Sequence, residues 1–315
     1  MIAPGVGPGM DRLDPAGLYE LAPDVPALDA PVLVQALDGF VDAGSATSLA
    51  RTQILDRLPS QVVAVFDHDQ LHDYRARRPA MLFAGDHWES YDAPQLALHL
   101  VTDETGVPFL LLAGPEPDAQ WERFVAAVQQ LVEHFGVRLT IGLNAIPMAL
   151  PHTRPVGVIA HSRDKELIKG YEPWVGTVQV PASAGHLLEH RLAEAGHASA
   201  GFAVHVPQYV SQADFPAAAV VLLREVGTLA GLTLPLADLE FAAARTREAI
   251  DEQVAGSPEV AAVVAALEAQ YDAFVAGRGK GLTADDGSLL EDGELPSADE
   301  LGAELERFLA ERTDP

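Results

Sequence analysis

The stretch that most constrains this chain is residues 31–57, PVLVQALDGFVDAGSATSLARTQILDR. Val32, Leu33, Val34, Gln35, Ala36 and Leu37 form an apolar run, short and bounded like a strand buried on both faces. Asp38 and Gly39 end the run, and Asp42, Ala43 and Gly44 turn the chain. From Ser45 onward Ala46, Leu49, Ala50, Ile54 and Leu58 recur at helical spacing. A strand, a turn bearing Gly and Asp, and a helix make the unit with which an open α/β sheet sets out a crevice at its strand ends.

The same alternation continues along the chain. Further strands are expected at 61–66, 96–101, 107–113, 139–143, 156–160, 177–180 and 202–206, and helices at 121–135, 183–192 and 215–229. Phe124, Val125, Val128, Leu131 and Val132 give the first of these helices a clear apolar face. Ser45 and Ser183 stand where N-caps stand. The predicted fold class is α/β, with a core domain at 31–235. A lead-in at 1–30, rich in Pro and Gly, precedes it, and only residues 18–21 of that segment are expected to dock. A helical appendage at 236–315 follows, with helices at 236–254, 258–275 and, after the acidic linker 277–296, 297–312. Ser297 with Glu300 fits a capping box for the last helix.

Composition excludes several function classes. With 46 acidic against 20 basic residues and a formal charge of −26, the chain repels a polyanion, so nucleic acid is not an expected partner. Its longest apolar runs, 109–113 and 217–223, fall far short of the ~20 residues a bilayer span needs, and no membrane partner is expected. The first residues carry neither a basic region nor an apolar one of the secretory kind, so the expected location is cytoplasmic. Cysteine is absent, which removes disulfides, thiolate catalysis and Cys-ligated metal.

Several residues follow apolar, strand-like runs, where open α/β sheets place ligands: Asp38, Asp42, Asp67, Asp69, Glu116, Asn144, His152 and Arg154. Ordinary turn chemistry is the competing reading for each. Asp67, His68 and Asp69, with His72 and Asp73, suit a divalent cation or, equally, the cap of the next element. Tyr74, Arg75, Arg77 and Arg78 form the one dense basic patch, suited to an anion, to another subunit or to ion pairs within the chain. His186, Glu189 and His190 match the H-x-x-E-H pattern, which puts two imidazoles on one helix face as zinc ligands; a solvated helix face reads the same. Phosphate loops fail at 38–44, where carboxylates stand in the way, and at 277–281, which follows no strand. No nucleophile elbow and no dinucleotide fingerprint are present, so no catalytic set and no cofactor are expected. The scattered Trp88, Trp121 and Trp174 read as core or interface anchors.

Five stretches taken together are more specific than any of these motifs. DGFVDAGSA at 38–46, FDHDQLHDYRARRP at 66–79, PHTRP at 151–155, PASAGHLLEHRL at 181–192 and GFAVHVPQYVSQADFPAAAVVLL at 201–223 resemble, in order, the proteasome assembly chaperone 2 family. The resemblance is to its bacterial branch, found in high-GC Gram-positive organisms. It implies a three-layer α/β fold of the phosphorylase/hydrolase type and self-association, with a trimer favoured. Eukaryotic members imply binding of proteasome subunits, although this chain ends in Thr313, Asp314 and Pro315, without the hydrophobic-Tyr-any tail through which such chaperones dock. The expected function is therefore that of a non-enzymatic binding or assembly protein. The alternative is a small-molecule protein, nucleoside-binding or hydrolytic, that uses the strand-end crevice.

Overall fold

The computed structural model describes residues 13–39, 41–172 and 177–279. Its centre is an eight-stranded mixed sheet, ordered β1-β3-β6-β7-β2-β8-β10-β9. The strands are β1 (Tyr19–Leu21), β2 (Val32–Asp38), β3 (Ser60–Phe66), β6 (Ala97–Thr102), β7 (Pro108–Pro115), β8 (Leu139–Met148), β9 (Val158–Ser162) and β10 (Ser199–Pro207). A separate hairpin joins β4 (Met81–Ala84) to β5 (His87–Tyr91). Strands β7, β2, β8 and β10 are parallel, and β3 runs with them because both β3 and β7 pair antiparallel with β6. Five C-terminal strand ends thus share one edge of the sheet.

Residues alternate sides along a strand, and that period divides the core in two. Val32, Val34 and Ala36 of β2, with Phe109 and Leu111 of β7 and Phe202 and Val204 of β10, face α1 (Ala46–Arg57), α5 (Pro216–Ala230) and α6 (Ala237–Ala255). Leu33 and Leu37, with Leu110 and Leu112, face α3 (Trp121–His134) and α4 (Ala184–Glu194). A short α2 (His68–Leu71) lies between β3 and β4, and α7 (Pro258–Gly279) follows α6. Each fully buried Leu or Phe contributes roughly 1.5–3 kcal/mol relative to exposure, so both layers are needed to hold the sheet. The result is the three-layer α/β architecture that the resemblance implies.

Most expected elements are present within a few residues, and the differences have physical causes. Residues 177–180 form no strand: among the described residues the sheet ends at β9, and Val178 and Val180 are exposed. Strand β8 runs on past the expected 139–143, through Asn144, Ile146 and Pro147, because its parallel register with β10 persists to Met148 opposite Pro207. Pro147 is tolerated because the ladder to β2 has already ended at Gly142. Leu18 of the lead-in is fully buried, and Tyr19–Leu21 adds an edge strand to β3. The expected helix at 297–312 and Trp174 lie outside the described residues.

Candidate functional site

At the shared edge, the loop after β2 folds onto the start of α1. Gly44 and Ser45 both take left-handed backbone conformations, φ +64° and +51°. Those two residues swing the chain so that Asp42, rather than Ser45, caps the helix. Asp42 accepts hydrogen bonds from the Thr47 N–H at 2.7 Å, the Ser48 N–H at 3.0 Å and the Ser48 hydroxyl at 2.8 Å. A carboxylate over a helix N-terminus satisfies orphan donors and the helix dipole together. Ser45, in contrast, makes no cap hydrogen bond, whereas Ser183 does cap α4 through the His186 N–H at 3.1 Å. Asp38 pairs with Arg51 and lies 3.0 Å from the Ser48 hydroxyl. Glu116, after β7, is buried and accepts from the Ala184 N–H at the start of α4.

Beyond β3, the Asp67 carboxylate accepts from Gln70 at 2.6 Å, and Asp69 accepts from the Tyr74 hydroxyl at 2.5 Å. That last bond raises the Tyr74 phenol above its ordinary range. Arg77 ion-pairs with Asp118 at 2.7 Å and donates to the Glu116 carbonyl at 2.5 Å. Arg75 and Arg78 make no ion pair among the described residues. His68 and His72 stack with ring centres 4.4 Å apart, and both ring nitrogens of His68 are buried without a partner among the described residues.

Beyond β8, His152 and Arg154 bind the C-terminal helices. Buried His152 contacts the Tyr209 hydroxyl at 2.6 Å through Nδ1 and Asp251 of α6 at 2.9 Å through Nε2. Burial, then the Asp251 and Glu268 carboxylates against the opposing His152 N–H bond, push the Tyr209 phenol up to about 12. Arg154 forms a fork with Asp272 of α7 at 2.8 and 2.6 Å and reaches Glu268 at 3.2 Å. The two residues clamp α6 and α7 to the sheet edge. No local sequence signal marks this clamp, since its partners lie about a hundred residues away in the chain.

Under α4 lies a polar cleft of about 360 Å³ lined by His161, Arg163, His186, Glu189 and His190 among others. Asn144 Nδ2 and His186 Nε2 are 2.8 Å apart, while His161 Nδ1 meets Glu189 at 2.9 Å. A Cβ at Gly201 would fall 2.2 Å from His161 Cε1 and 2.7 Å from the Glu189 carboxylate, so only glycine leaves room for this pair. His190 points to Glu194 at 3.4 Å instead of toward His186. Among the described residues no group of three or more His, Asp or Glu side chains is arranged to hold a metal ion. The crevice residues named from the sequence thus fall into separate groups. Asp38 joins Asp42 through Ser48, Asn144 joins His186, Asp67 and Asp69 bind locally, and His152 and Arg154 hold the helices.

Several histidines are stabilised in the neutral form. Burial holds His205 and His99 below the usual histidine range, and burial followed by the charge of His161 does the same for His186. For His68 burial acts first, then His72 and Arg77. With the folded pKa below the unfolded one, the unfolded chain takes up protons first on acidification. Their stabilising effect is complete above about pH 6.5 and is lost as pH falls from there toward the lowered folded values. Melting temperature is therefore expected to drop between pH 7 and pH 5, before most carboxylates titrate, and His205→Leu is expected to flatten that slope. Scanning fluorimetry across this range is the check, and a flat profile contradicts it.

No helix of the described residues is long and apolar enough to cross a membrane. A family model for the PAC2 family matches residues 36–254. Among solved structures, the chain is similar to the Mycobacterium tuberculosis protein of unknown function Rv2714, at 50% identity and TM-score 0.81, with 88% of this chain and 95% of that chain covered. A Corynebacterium glutamicum protein of unknown function matches at 41% identity and TM-score 0.79, with 82% and 98% covered. The M. tuberculosis proteasome-assembly chaperone homologue Rv2125 matches at 25% identity and TM-score 0.68, with 74% and 99% covered. Among curated proteins no match is found. The motifs, the three-layer fold and these likenesses agree, and the chain belongs to the PAC2 family, in its actinobacterial branch.

Proposed function

We propose that this chain is a non-enzymatic, self-associating protein-binding factor that acts in proteasome assembly in the cytoplasm. One observation carries the reading. The strand-end carboxylates that chemistry would need, Asp38, Asp42 and Glu116, are bound to internal partners. Large apolar side chains, by contrast, stand outside the core, on the β4–β5 hairpin and on α7. Surfaces of that kind mark protein contacts rather than catalysis. Family membership and likeness to a proteasome-assembly chaperone homologue support the same reading. The trimer favoured by the resemblance belongs to this proposal. Mild affinity purification of the tagged chain at native expression, with mass-spectrometric identification, is expected to recover core-particle subunits. Recovery of none from cells with intact proteasomes overturns the proposal.

The cleft under α4 favours a second reading, a small polar ligand held by His161, Arg163 and Glu189, because these side chains of both charge signs line one cavity of about 360 Å³. A thermal-shift screen with nucleosides, phosphate and divalent metals tests it, since a ligand of the folded state raises the melting temperature by mass action.

A further inference from the structure

The cleft under α4 brings two opposite charges to one cavity without joining them. His161, in β9, and Arg163, just past its end, come from the edge of the sheet. His186, Glu189, His190 and Ala193 come from α4, at the spacing of a single helix face. Arg163 is exposed and makes neither an ion pair nor a hydrogen bond among the described residues. Glu189 Oε1 accepts from His161 Nδ1 at 2.9 Å, and the carboxylate has no lysine or arginine partner among the described residues. Arg163 and Glu189 thus line the same 360 Å³ and do not meet.

The fold holds this arrangement open. Gly201 lies opposite His161 in the β10–β9 ladder, and an added Cβ there would meet His161 Nε2 at 2.8 Å and Glu189 Oε2 at 2.7 Å. The histidine and the carboxylate therefore rest directly on the sheet backbone. Their side chains are 35% and 20% exposed, sheltered yet open to the cleft. Glu194, the other acid of the lining, is already engaged, accepting from Arg191 at 2.7 Å. That bond first, and against burial the charges of His190, Arg191 and Arg163, hold Glu194 below the usual carboxylate range.

Charge decides what such a cleft holds. A free anion drawn to Arg163 has to enter the field of a chain with net charge −26 and then lie beside Glu189. A free cation drawn to Glu189 meets Arg163. A zwitterion avoids both conflicts: it is neutral at a distance, and each of its ends finds its opposite inside. A carboxylate matches the guanidinium fork of Arg163 in two parallel hydrogen bonds. An ammonium finds Glu189 Oε2, which has no partner among the described residues. An α-amino acid carries both groups ionised at neutral pH, on one carbon. The cavity lies at the small end of the range of ligand pockets, about 300–1,000 Å³, as a ligand of that size requires.

We propose that the cleft under α4 binds a free α-amino acid, its carboxylate on Arg163 and its ammonium on Glu189, with His161 orienting the Glu189 carboxylate. This rests on the second reading above and names its ligand class.

Scanning fluorimetry of the full chain with each protein amino acid at millimolar concentration is expected to raise the melting temperature for at least one. Calorimetric titration then compares that amino acid with its two truncated forms, the carboxylic acid without the amine and the amine without the carboxylate. Both are expected to bind roughly tenfold or more weakly. Arg163→Gln is expected to weaken the amino acid and the carboxylic acid alike and to leave the amine unchanged. Glu189→Gln is expected to do the reverse, weakening the amino acid and the amine. Arg163 is unpaired and Glu189→Gln keeps an acceptor for His161, so both variants are expected to retain the wild-type circular dichroism spectrum. Arg163→Ala and Glu189→Ser replace them should either misfold. Binding that both variants leave intact, or a truncated form that binds as tightly as the amino acid, overturns the inference. Silence with every amino acid, beside a shift from phosphate, a nucleoside or a divalent metal that these variants abolish, overturns the ligand class and leaves the small-ligand reading standing. Silence with all of these probes overturns both.

Discussion

Asp103→Ala is expected to lower unfolding stability by about 3 kcal/mol, among the largest single-site effects in the molecule. Asp103 opens the β6–β7 turn, 4% exposed, and its carboxylate accepts from the N–H groups of Thr105, Val107 and Thr233, each at 2.8 Å, and from the Thr105 hydroxyl at 2.9 Å. Burial alone would raise its pKa, but the hydrogen bonds from Thr233, Val107 and Thr105 outweigh that and hold the carboxyl below the usual range. Removing it leaves donors without an acceptor in two segments at once, the β6–β7 turn and the loop between α5 and α6. Asp103→Asn keeps one acceptor oxygen and is expected to cost less. Urea unfolding of the three proteins gives the order, and an alanine variant as stable as wild type contradicts the account.

Gly44→Ala is expected to cost roughly 3 kcal/mol for a different reason. At φ +64° an L side chain costs ~1–2 kcal/mol of backbone strain. Its Cβ would also fall 2.7 Å from Phe215 Cβ and 3.1 Å from Val206 Cγ1, both in the core, and overpacking there adds ~1–3 kcal/mol. The Gly44 N–H donates to the Ser211 carbonyl at 2.7 Å, and the Phe215 N–H donates to the Gly44 carbonyl at 2.8 Å. Two stretches far apart in the sequence, 38–46 and 201–223, therefore meet at this glycine. The expected result is a lower urea midpoint with an unchanged slope. The same change at Gly196, where an added Cβ meets nothing but φ is +86°, is expected to show the strain alone and to cost less.

The architecture was legible because its signal is periodic. The run from Val32 to Leu37 and the face built by Phe124, Val128 and Leu131 state in order which residues are buried, and the layers follow. The β4–β5 hairpin carried a readable signal too. Gly85 and Asp86 lie between Met81, Leu82 and Phe83 on one side and Trp88 and Tyr91 on the other, a two-residue turn between apolar runs. Its lack of polar-apolar alternation hid it, because neither face of the hairpin meets the core. The clamp of His152 and Arg154 was not legible, since histidine and arginine after a strand have the same appearance whether they face a ligand or a helix that arrives later in the chain. Ser45 shows the same limit locally. Capping went to Asp42 because two left-handed residues intervene, and serine gives no hint of adopting that conformation.

That the strand-end carboxylates serve the fold is tested most directly on Asp42→Ala, with urea unfolding and capture of proteasome subunits measured on the same preparation. The loss of three hydrogen bonds at the start of α1 is expected to cost about 1–2 kcal/mol, with capture per folded molecule unchanged. Wild-type stability together with abolished capture would contradict the account and make Asp42 a binding residue.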